Sequence, residues 1–343
     1  MPSSADKQAA AESGPAEAAW QRFWRIVIAT ALAGAVAIAA LNALVDPTGA
    51  VHARWPDAPI LCAEGPRGDI WVAATLPVRL DPPAVLVAGT SRVAVGIDQA
   101  LLDQLADGRT ARIVGLAGAR MAELARWLIP LVDRADAPQR LILGLDYAMF
   151  AGIDRRAGAT PPAGPGAIWM RALLHPDATL ASLNALVSPD DCALSRGNRS
   201  GGDRGRSIAA AAAARGWDAV RTDAAGAPAA RLRQTDAAAL PDAEDMAALD
   251  AVLTVARARG IAVAVLLPPV HPVQRAALTA TGHGSAFRRW HDHLSGLARS
   301  GTVALTDLGA AVDDDRLIDD LSRPGFLDPI HFTPALLRRL INK

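Results

Sequence analysis

Short apolar runs alternate along the chain with longer segments in which apolar positions recur at helical spacing. The apolar runs predict five buried strands, at 84–89, 111–118, 140–146, 261–269 and 302–308. The segments between them predict helices at 98–106, 121–135, 242–260 and 285–298, with a terminal helix from Pro334. Because strands separated by helices form parallel sheets, we expect an α/β domain whose sheet is covered on both faces.

Two regions interrupt this alternation. Residues 46–83 are rich in proline and are expected to form a connector that leads into the domain at 84–343. Residues 151–240 have the composition of an insertion, with a helical stretch at 168–186 between two loop-like segments. The insertion follows the third strand, where the active-site loops of parallel sheets emerge. We therefore expect it to form a lid or a partner surface over the carboxyl edge of the sheet.

An apolar segment at 26–45 precedes the connector. It contains no charged residue and has about the 20-residue length that a helix needs to cross a bilayer. Arg22 and Arg25 precede it and Asp46 follows it, so the positive-inside rule predicts a cytoplasmic tail at 1–25. A cleaved signal peptide is one alternative, although the apolar segment is longer than is usual for one, and a buried helix of a soluble protein is another. The anchor and the signal peptide both place the α/β domain across the membrane.

Composition and charge narrow the functional classes. The chain has 343 residues, of which 51% are hydrophobic, and a formal net charge of zero. A chain without a basic field is not expected to bind nucleic acid. Cys62 and Cys192 are the only cysteines, and an exported domain could either bridge them or leave them reduced. Neither a zinc pattern nor a dinucleotide fingerprint is present, so we expect no metal and no cofactor.

Candidate chemistry lies at the two ends of the predicted domain. Gly89-Thr90-Ser91-Arg92 ends the first strand, which places the Ser91 hydroxyl where open α/β sheets form their ligand crevices. Asp328 and His331 are three residues apart in a proline-rich loop before the terminal helix. An aspartate at that spacing can orient a histidine that takes a proton from a serine hydroxyl. Separately, the same residues are also typical of a turn and of a helix cap beside a surface histidine.

Several other polar residues are further candidates for the site. Arg92 either binds a carboxylate or carbohydrate near Ser91 or forms a salt bridge that holds the turn. His271 follows the fourth strand and is expected to be structural or to contact substrate. The remaining candidates lie in polar sequence, are expected to be exposed and do not have the spacing of a metal site; they are His283, His291 and His293.

Four short blocks resemble those of the SGNH hydrolase superfamily. They are Gly89-Thr90-Ser91-Arg92, "GLAGAR" with Gly118, "LGLDYAMF" with Asp146, and "DPIHF" with Asp328 and His331. More narrowly, the chain is similar to the membrane-anchored SGNH-like proteins of bacterial envelope and exopolysaccharide acylation. This resemblance implies a three-layer sandwich with a parallel, flavodoxin-like sheet, in a periplasmic domain anchored by one helix in the inner membrane.

The resemblance also implies roles for individual residues. Ser91 is the expected nucleophile, with His331 as its base and Asp328 orienting that histidine. The backbone amides of Ser91 and Gly118 are expected to bind the oxyanion, and Arg92, Asp146 and His271 to contact substrate. Asp146 stands where the family has an asparagine donor, and an ionised carboxylate cannot donate a hydrogen bond. Asp146 is therefore displaced, or protonated, or the oxyanion site uses backbone amides alone.

Two functions follow from this pattern. The first is an anchored acyl-ester hydrolase or O-acyltransferase that acts on an envelope or exopolysaccharide acyl group. Its expected partners are the membrane, a carbohydrate or acyl-donor substrate, and other envelope proteins. The second is a non-catalytic scaffold of the same shape that binds a polymer or a partner protein, which the Asp146 substitution and the large insertion favour.

Overall fold

A computed structural model describes residues 4–46, 50–51, 70–116, 118–151, 165–187, 232–308 and 336–337. Within these ranges, strands and helices alternate from residue 85 onward. The strands are β1 (Val85–Thr90), β2 (Ala111–Leu116), β3 (Arg140–Gly144), β4 (Ala262–Leu267) and β5 (Ala304–Asp307). The helices are α1 (Ser4–Val45), α2 (Ile70–Leu80), α3 (Ser91–Gly96), α4 (Gln99–Ala106), α5 (Met121–Val132), α6 (Pro165–Leu174), α7 (Pro176–Val187), α8 (Ala243–Ala258), α9 (Pro272–Ala280) and α10 (Gly284–Arg299), with 3₁₀ turns at Tyr147–Phe150 and Ala237–Ala239.

The five strands form one parallel sheet in the order β2-β1-β3-β4-β5. All five strands predicted from the apolar runs are confirmed, and so is the α/β class. The chain passes from β1 to β2 on one side and then crosses to β3 on the other side of β1. In parallel sheets, a ligand crevice opens beyond the carboxyl ends of strands at such a reversal. A ligand site is therefore expected at the ends of β1 and β3.

Alternate residues of β1 pack into two separate hydrophobic clusters. Leu86 and Ala88 belong to a cluster that contains residues of α5, α8 and α10, including Trp127 and Trp290. Val85 and Val87 belong to the other, which contains residues of α3 and α4. Because side chains of a strand point alternately to its two faces, β1 is buried on both sides. This explains why it consists of a continuous apolar run.

A row of three glycines allows α3 to lie close to the sheet. Gly89 is in register with Gly115 of β2 and with Gly144 of β3. A Cβ atom at Gly115 would lie 2.9 Å from the backbone of Ala94, and one at Gly89 would lie 2.6 Å from the Val93 side chain. The missing side chains therefore leave room for α3, which begins directly after β1 without a loop.

The sequence predictions for the helix ends are confirmed. Asp98 is the N-cap of α4, where its carboxylate accepts a hydrogen bond of 3.0 Å from the Leu101 N–H. Gly260 follows α8 with a φ of +69°, a left-handed conformation that favours glycine. The terminal helix from Pro334 lies largely outside the described residues, of which Leu336 and Leu337 are helical.

The last part of the predicted connector at 46–83 contains the helix α2 at Ile70–Leu80. Leu76 and Val78 of α2 are buried, Leu76 against Ile168 of α6 and Val78 in the larger core cluster. Burial of these side chains favours a helix despite Pro77 within it. Local sequence could not show this, because the residues that cover α2 lie far along the chain.

The amino-terminal helix α1 contains a candidate membrane span. Its segment Glu17–Val45 has 29 residues, and the most apolar 18-residue window of this segment has a mean hydropathy of 2.2 and is only 6% buried in the structure. By length and composition this helix can cross a membrane. The predicted apolar segment at 26–45 is thus part of one continuous helix.

The helical stretch predicted at 168–186 in the insertion forms two helices. The predicted stretch at 168–186 is divided into α6 and α7 at His175 and Pro176, because a proline is favoured at the first position of a new helix. Both helices contact α1, and α6 also contacts α2. Residues 152–164 and 188–231 of the insertion lie outside the described residues.

Candidate functional site

A cavity of about 280 Å³ opens at the carboxyl edge of the sheet. Its wall includes residues at or just beyond the ends of β1, β3, β4 and β5, together with the turn after β2 and parts of α9 and α10. Of the insertion, Leu232 contributes to this wall, whereas α6 and α7 do not. The predicted lid is therefore not formed by these two helices.

Ser91 lies in this wall as the first residue of α3. Thr90 is the N-cap of the helix, and its hydroxyl accepts a hydrogen bond of 3.4 Å from the Arg92 N–H. This cap and the glycine row beneath α3 determine where the chain turns from strand to helix. The predicted placement of Ser91 at the end of the first strand is confirmed.

Gly118 contributes to the same wall from the turn between β2 and α5. Its φ of +68° is a conformation that residues with a Cβ rarely adopt. The structure thus brings Ser91 and Gly118 to one cavity, which the predicted oxyanion site requires. Their roles in catalysis stay a prediction.

Asp146 is buried in the cavity wall directly after β3, with 5% of its surface exposed. The Thr90 hydroxyl donates a hydrogen bond of 2.8 Å to its Oδ2 atom. Its Oδ1 atom is also buried and has no hydrogen-bond partner among the described residues. Asp146 therefore lies in the same cavity wall as Ser91. A buried carboxylate oxygen without a donor is costly, so Oδ1 is a position where a ligand donor would gain a hydrogen bond.

Arg92 connects two sides of the cavity. Its side chain is buried, with 4% exposed, and Nη2 donates to the Pro269 carbonyl oxygen at 3.3 Å and to Gln274 Oε1 at 3.0 Å. These contacts join the end of β1 to the segment that follows β4. Arg92 therefore has a positioning role at the site, in addition to lining the wall.

His271 is not among the residues that line the cavity. It lies just before α9, where its carbonyl oxygen accepts hydrogen bonds from the N–H groups of Gln274 and Arg275. This backbone arrangement caps the first turn of α9. The structure gives His271 a place at the helix start, and it does not bring the residue to the cavity wall with Ser91.

The two remaining residues of the predicted triad, Asp328 and His331, lie outside the described residues. Cys62 and Cys192 also lie outside them, so the question of a disulfide stays open. Approach of His331 to Ser91 is thus still a prediction.

A different histidine–aspartate pair lies in the described wall. His291 Nε2 of α10 is 2.7 Å from Asp307 Oδ2 at the end of β5, and both residues line the cavity. The imidazole ring stacks on Phe287 at a centroid distance of 6.3 Å. An aspartate that holds one imidazole nitrogen is the arrangement that orients a general base.

Sequence reasoning missed this pair, having placed His291 in exposed polar sequence. Asp307 could have been predicted as a site residue from the sequence, because it ends the fifth strand and so lies at the same sheet edge as Ser91.

His283 is buried, with 1% exposed, so the expectation that it is exposed is wrong. Its Nε2 atom lies 3.0 Å from the Leu232 carbonyl oxygen, and its Nδ1 atom lies 3.2 Å from the Tyr147 hydroxyl. Because a carbonyl only accepts, Nε2 carries the proton and Nδ1 accepts from Tyr147. Burial raises the pKa of Tyr147 to about 12, against the opposing effect of the Arg289 cation. This chain of hydrogen bonds is a structural part of the wall.

Much of the remaining wall is apolar and aromatic. Tyr147, Phe287 and Trp290 form mutual ring contacts with centroid distances of 5.5–6.0 Å. Leu145, Met149 and Leu278 are further apolar members of the wall. Among the described residues, no group of three or more His, Cys, Asp or Glu side chains could hold a metal ion. The site therefore combines a serine and buried polar groups with an apolar surface.

Comparisons of the chain with protein-family models, with curated proteins and with solved structures gave no match.

Proposed function

We propose that this protein is a membrane-anchored, extracytoplasmic SGNH-type acyl-ester hydrolase or O-acyltransferase. The observation that carries the proposal is the placement of Ser91, Gly118 and Asp146 around one cavity at the carboxyl edge of a parallel sheet. The proposed substrate is an acyl group carried by an envelope polymer or an exopolysaccharide.

The topology supports this proposal. The strand order 2-1-3-4-5 is that of flavodoxin-like sheets, whose ligands bind where the order reverses. Ser91 follows β1 and Asp146 follows β3, so the two residues flank this reversal. We therefore propose a three-layer, flavodoxin-like domain with its active site at that point.

In the proposed reaction, Ser91 Oγ attacks the acyl carbonyl carbon while a histidine accepts the hydroxyl proton. The alcohol leaves with that proton, and water or an acceptor hydroxyl then takes the acyl group from Ser91. The N–H groups of Ser91 and Gly118 stabilise the oxyanion, and the apolar wall accommodates the acyl chain.

Two histidines are candidates for the base. The family resemblance supports His331, oriented by Asp328. The described geometry supports His291, because Asp307 already holds its Nε2 atom in the cavity wall.

The Asp146 carboxylate bears on the choice between hydrolysis and transfer. Its Oδ1 atom is an acceptor without a described donor, and a carbohydrate acceptor presents hydroxyl donors. We propose that Asp146 binds the acceptor hydroxyl, which favours transfer to a sugar.

The anchor defines the proposed location. With Arg22 and Arg25 on the cytoplasmic side, α1 crosses the inner membrane once and the domain from residue 84 lies in the periplasm. Reporter fusions at Gly49 and at the carboxyl terminus test this topology, since cytoplasm-only activity at both positions would exclude it.

A non-catalytic scaffold is the second candidate, and the buried Asp146 carboxylate favours it. An ionised carboxylate beside the oxyanion position would oppose the negative charge that develops there. In this case the cavity binds a polymer or partner without turnover.

Labelling with a serine-directed fluorophosphonate separates the two candidates. For the enzyme, wild-type protein is labelled, Ser91→Ala is not, and the control Ser300→Ala, which alters an exposed serine at the end of α10, is labelled like wild type. Absence of labelling from a folded wild type would support the scaffold, whereas labelling that persists in Ser91→Ala would exclude Ser91 as the nucleophile that reacts.

The same assay distinguishes the two histidines. If His331 is the base, His331→Ala should slow labelling by orders of magnitude while His291→Ala changes it little. The reverse pattern would assign the base to His291 and Asp307.

A further inference from the structure

Helix α7 buries small side chains and exposes large apolar ones. A helix on the surface of a water-soluble protein does the opposite, because it buries its large apolar side chains. The buried side of α7 consists of small residues, namely Ala178, Ala181, Ser182 and Ala185. Its exposed side carries Leu180 (60% exposed), Leu183 (48%), Leu186 (50%) and Val187 (83%). Leu180, Leu183 and Val187 have the i, i+3, i+7 spacing of one helix face. We refer to these four large side chains as the apolar face of α7.

The small-residue side of α7 packs against the end of the candidate membrane span. Ala185 forms a hydrophobic cluster with Val45 and Leu41 of α1. Small side chains allow two helices to approach closely, which is how helices pack inside membranes. Both α6 and α7 contact α1, so the helix pair lies beside the last turns of the span.

Asn42 shows that this contact is specific. It is buried within the otherwise apolar span. Its Nδ2 atom donates to the Leu173 carbonyl oxygen at 2.8 Å and to Thr179 Oγ1 at 3.1 Å, and its Oδ1 atom accepts from Ser182 Oγ at 2.7 Å. A polar side chain at membrane depth requires such internal partners.

The helices α1 and α7 both expose large apolar side chains. Ile38 and Leu44 of α1 are exposed on either side of Asn42 in sequence. Beyond Asp177, α7 contains no charged residue as far as Val187. The medium that surrounds this part of α1 therefore also meets the apolar face of α7.

We propose that the apolar face of α7 inserts into the lipid leaflet that adjoins the α/β domain, next to α1. This inference depends on the membrane anchoring of α1 and is independent of any chemistry at Ser91. Lipid contact explains the exposed leucines, the small residues at the contact with α1 and the hydrogen bonds of Asn42 together. The domain is then attached to the membrane through α7 as well as through the span.

Depth-dependent fluorescence quenching tests this proposal in the full-length protein. Cys62 and Cys192 are first replaced by serine. A bimane label is then placed at Leu183→Cys, at Leu32→Cys within the span, or at Gln104→Cys, which is an exposed position on α4. Each protein is reconstituted in phosphatidylcholine vesicles, and its circular dichroism spectrum is compared with that of wild type. Nitroxide-labelled lipid then quenches labels in the bilayer, whereas iodide quenches labels in water.

The labels at positions 183 and 32 are expected to be quenched several-fold more by nitroxide lipid than the label at position 104. Quenching of the position 183 label by iodide, with position 32 still quenched by lipid, would overturn the insertion of α7 alone. Protection of the position 183 label from both quenchers would also overturn it, because protein, such as a second copy of the chain, would then cover the face. Absence of lipid quenching at position 32 would instead contradict the anchor itself.

Discussion

Two buried aspartates of this protein have very different surroundings. Asp245, at the start of α8, is 0% exposed and accepts hydrogen bonds from Arg120 Nε at 3.0 Å, Arg120 Nη2 at 2.8 Å and the Ala122 N–H at 2.9 Å. Asp146, in the cavity wall, accepts from the Thr90 hydroxyl on one oxygen, while its other oxygen has no partner among the described residues. The first carboxylate is fully hydrogen-bonded and the second is not.

The difference indicates two kinds of buried carboxyl group. Asp245 connects α8 to the first turn of α5, where helix N–H groups lack partners within the helix. Burial raises the pKa of Asp245, and the hydrogen bonds from the Ala122 N–H and from Arg120 act in the opposite direction. Asp146 connects two strand ends and leaves an oxygen for a ligand. We infer that the first carboxylate stabilises the fold and that the second is retained for binding.

The largest expected effect on stability is that of Asp245→Ala. It leaves Arg120 and the Ala122 N–H without their buried acceptor, which should lower the free energy of unfolding by about 3–5 kcal/mol. Asp245→Asn keeps an acceptor of the same shape and should cost less, because burial disfavours the charged form. Urea titration followed by circular dichroism measures both variants. Equal stability of wild type and Asp245→Ala would show that Asp245 does not stabilise the fold.

Gly115→Ala should have the next largest effect. The added methyl group would lie 2.9 Å from the backbone of Ala94, which is too close for a normal contact. Helix α3 must therefore shift away from the sheet. Such overpacking costs roughly 1–3 kcal/mol. Because Ser91 begins α3, labelling by fluorophosphonate should fall together with stability. The matched control is Gly166→Ala in α6, where no atom lies within 4 Å of the added Cβ. Normal labelling of Gly115→Ala would show that the glycine row does not position Ser91.

Asp146→Asn should change stability by less than about 1 kcal/mol, since it keeps the shape of the side chain and an oxygen that accepts from the Thr90 hydroxyl. Under the proposed chemistry it should raise the labelling rate at Ser91 by roughly tenfold or more, because an amide side chain has an N–H that can donate to the oxyanion. Labelling kinetics and urea titration of the same preparation provide both values. If Asp146→Asn lost as much stability as Asp245→Ala, both carboxyl groups would have a structural role, and Asp146 would not be retained for binding.

The smallest effect concerns Tyr147, which is the only tyrosine in the chain. Absorbance at the tyrosinate band therefore reports this residue alone. Its pKa is raised from 10.0 to about 12 in the folded protein. The stabilisation that accompanies this shift is present below pH 10.0 and is lost as the pH rises through about 12. A midpoint near 10.0 in the folded protein would show that Tyr147 is solvated, and so would question the enclosed wall around Asp146.

The amino-acid sequence by itself determined the five strands, the capped start of α4, the glycine end of α8 and the apolar span of α1. These features depend on residues close together in the chain, through apolar runs, caps and backbone conformations. The position of Ser91 at a strand end was predictable for the same reason.

Tertiary structure decided the remaining features, because they depend on residues distant in sequence. The helix α2 is buried by α6, and α3 lies over glycines from three strands. His283 is buried because Tyr147, 136 residues away, and Leu232 satisfy its ring. The pair of His291 and Asp307 forms only where a helix packs beside the end of β5. Periodicity within one element cannot show these contacts, because each is created when separate elements pack together.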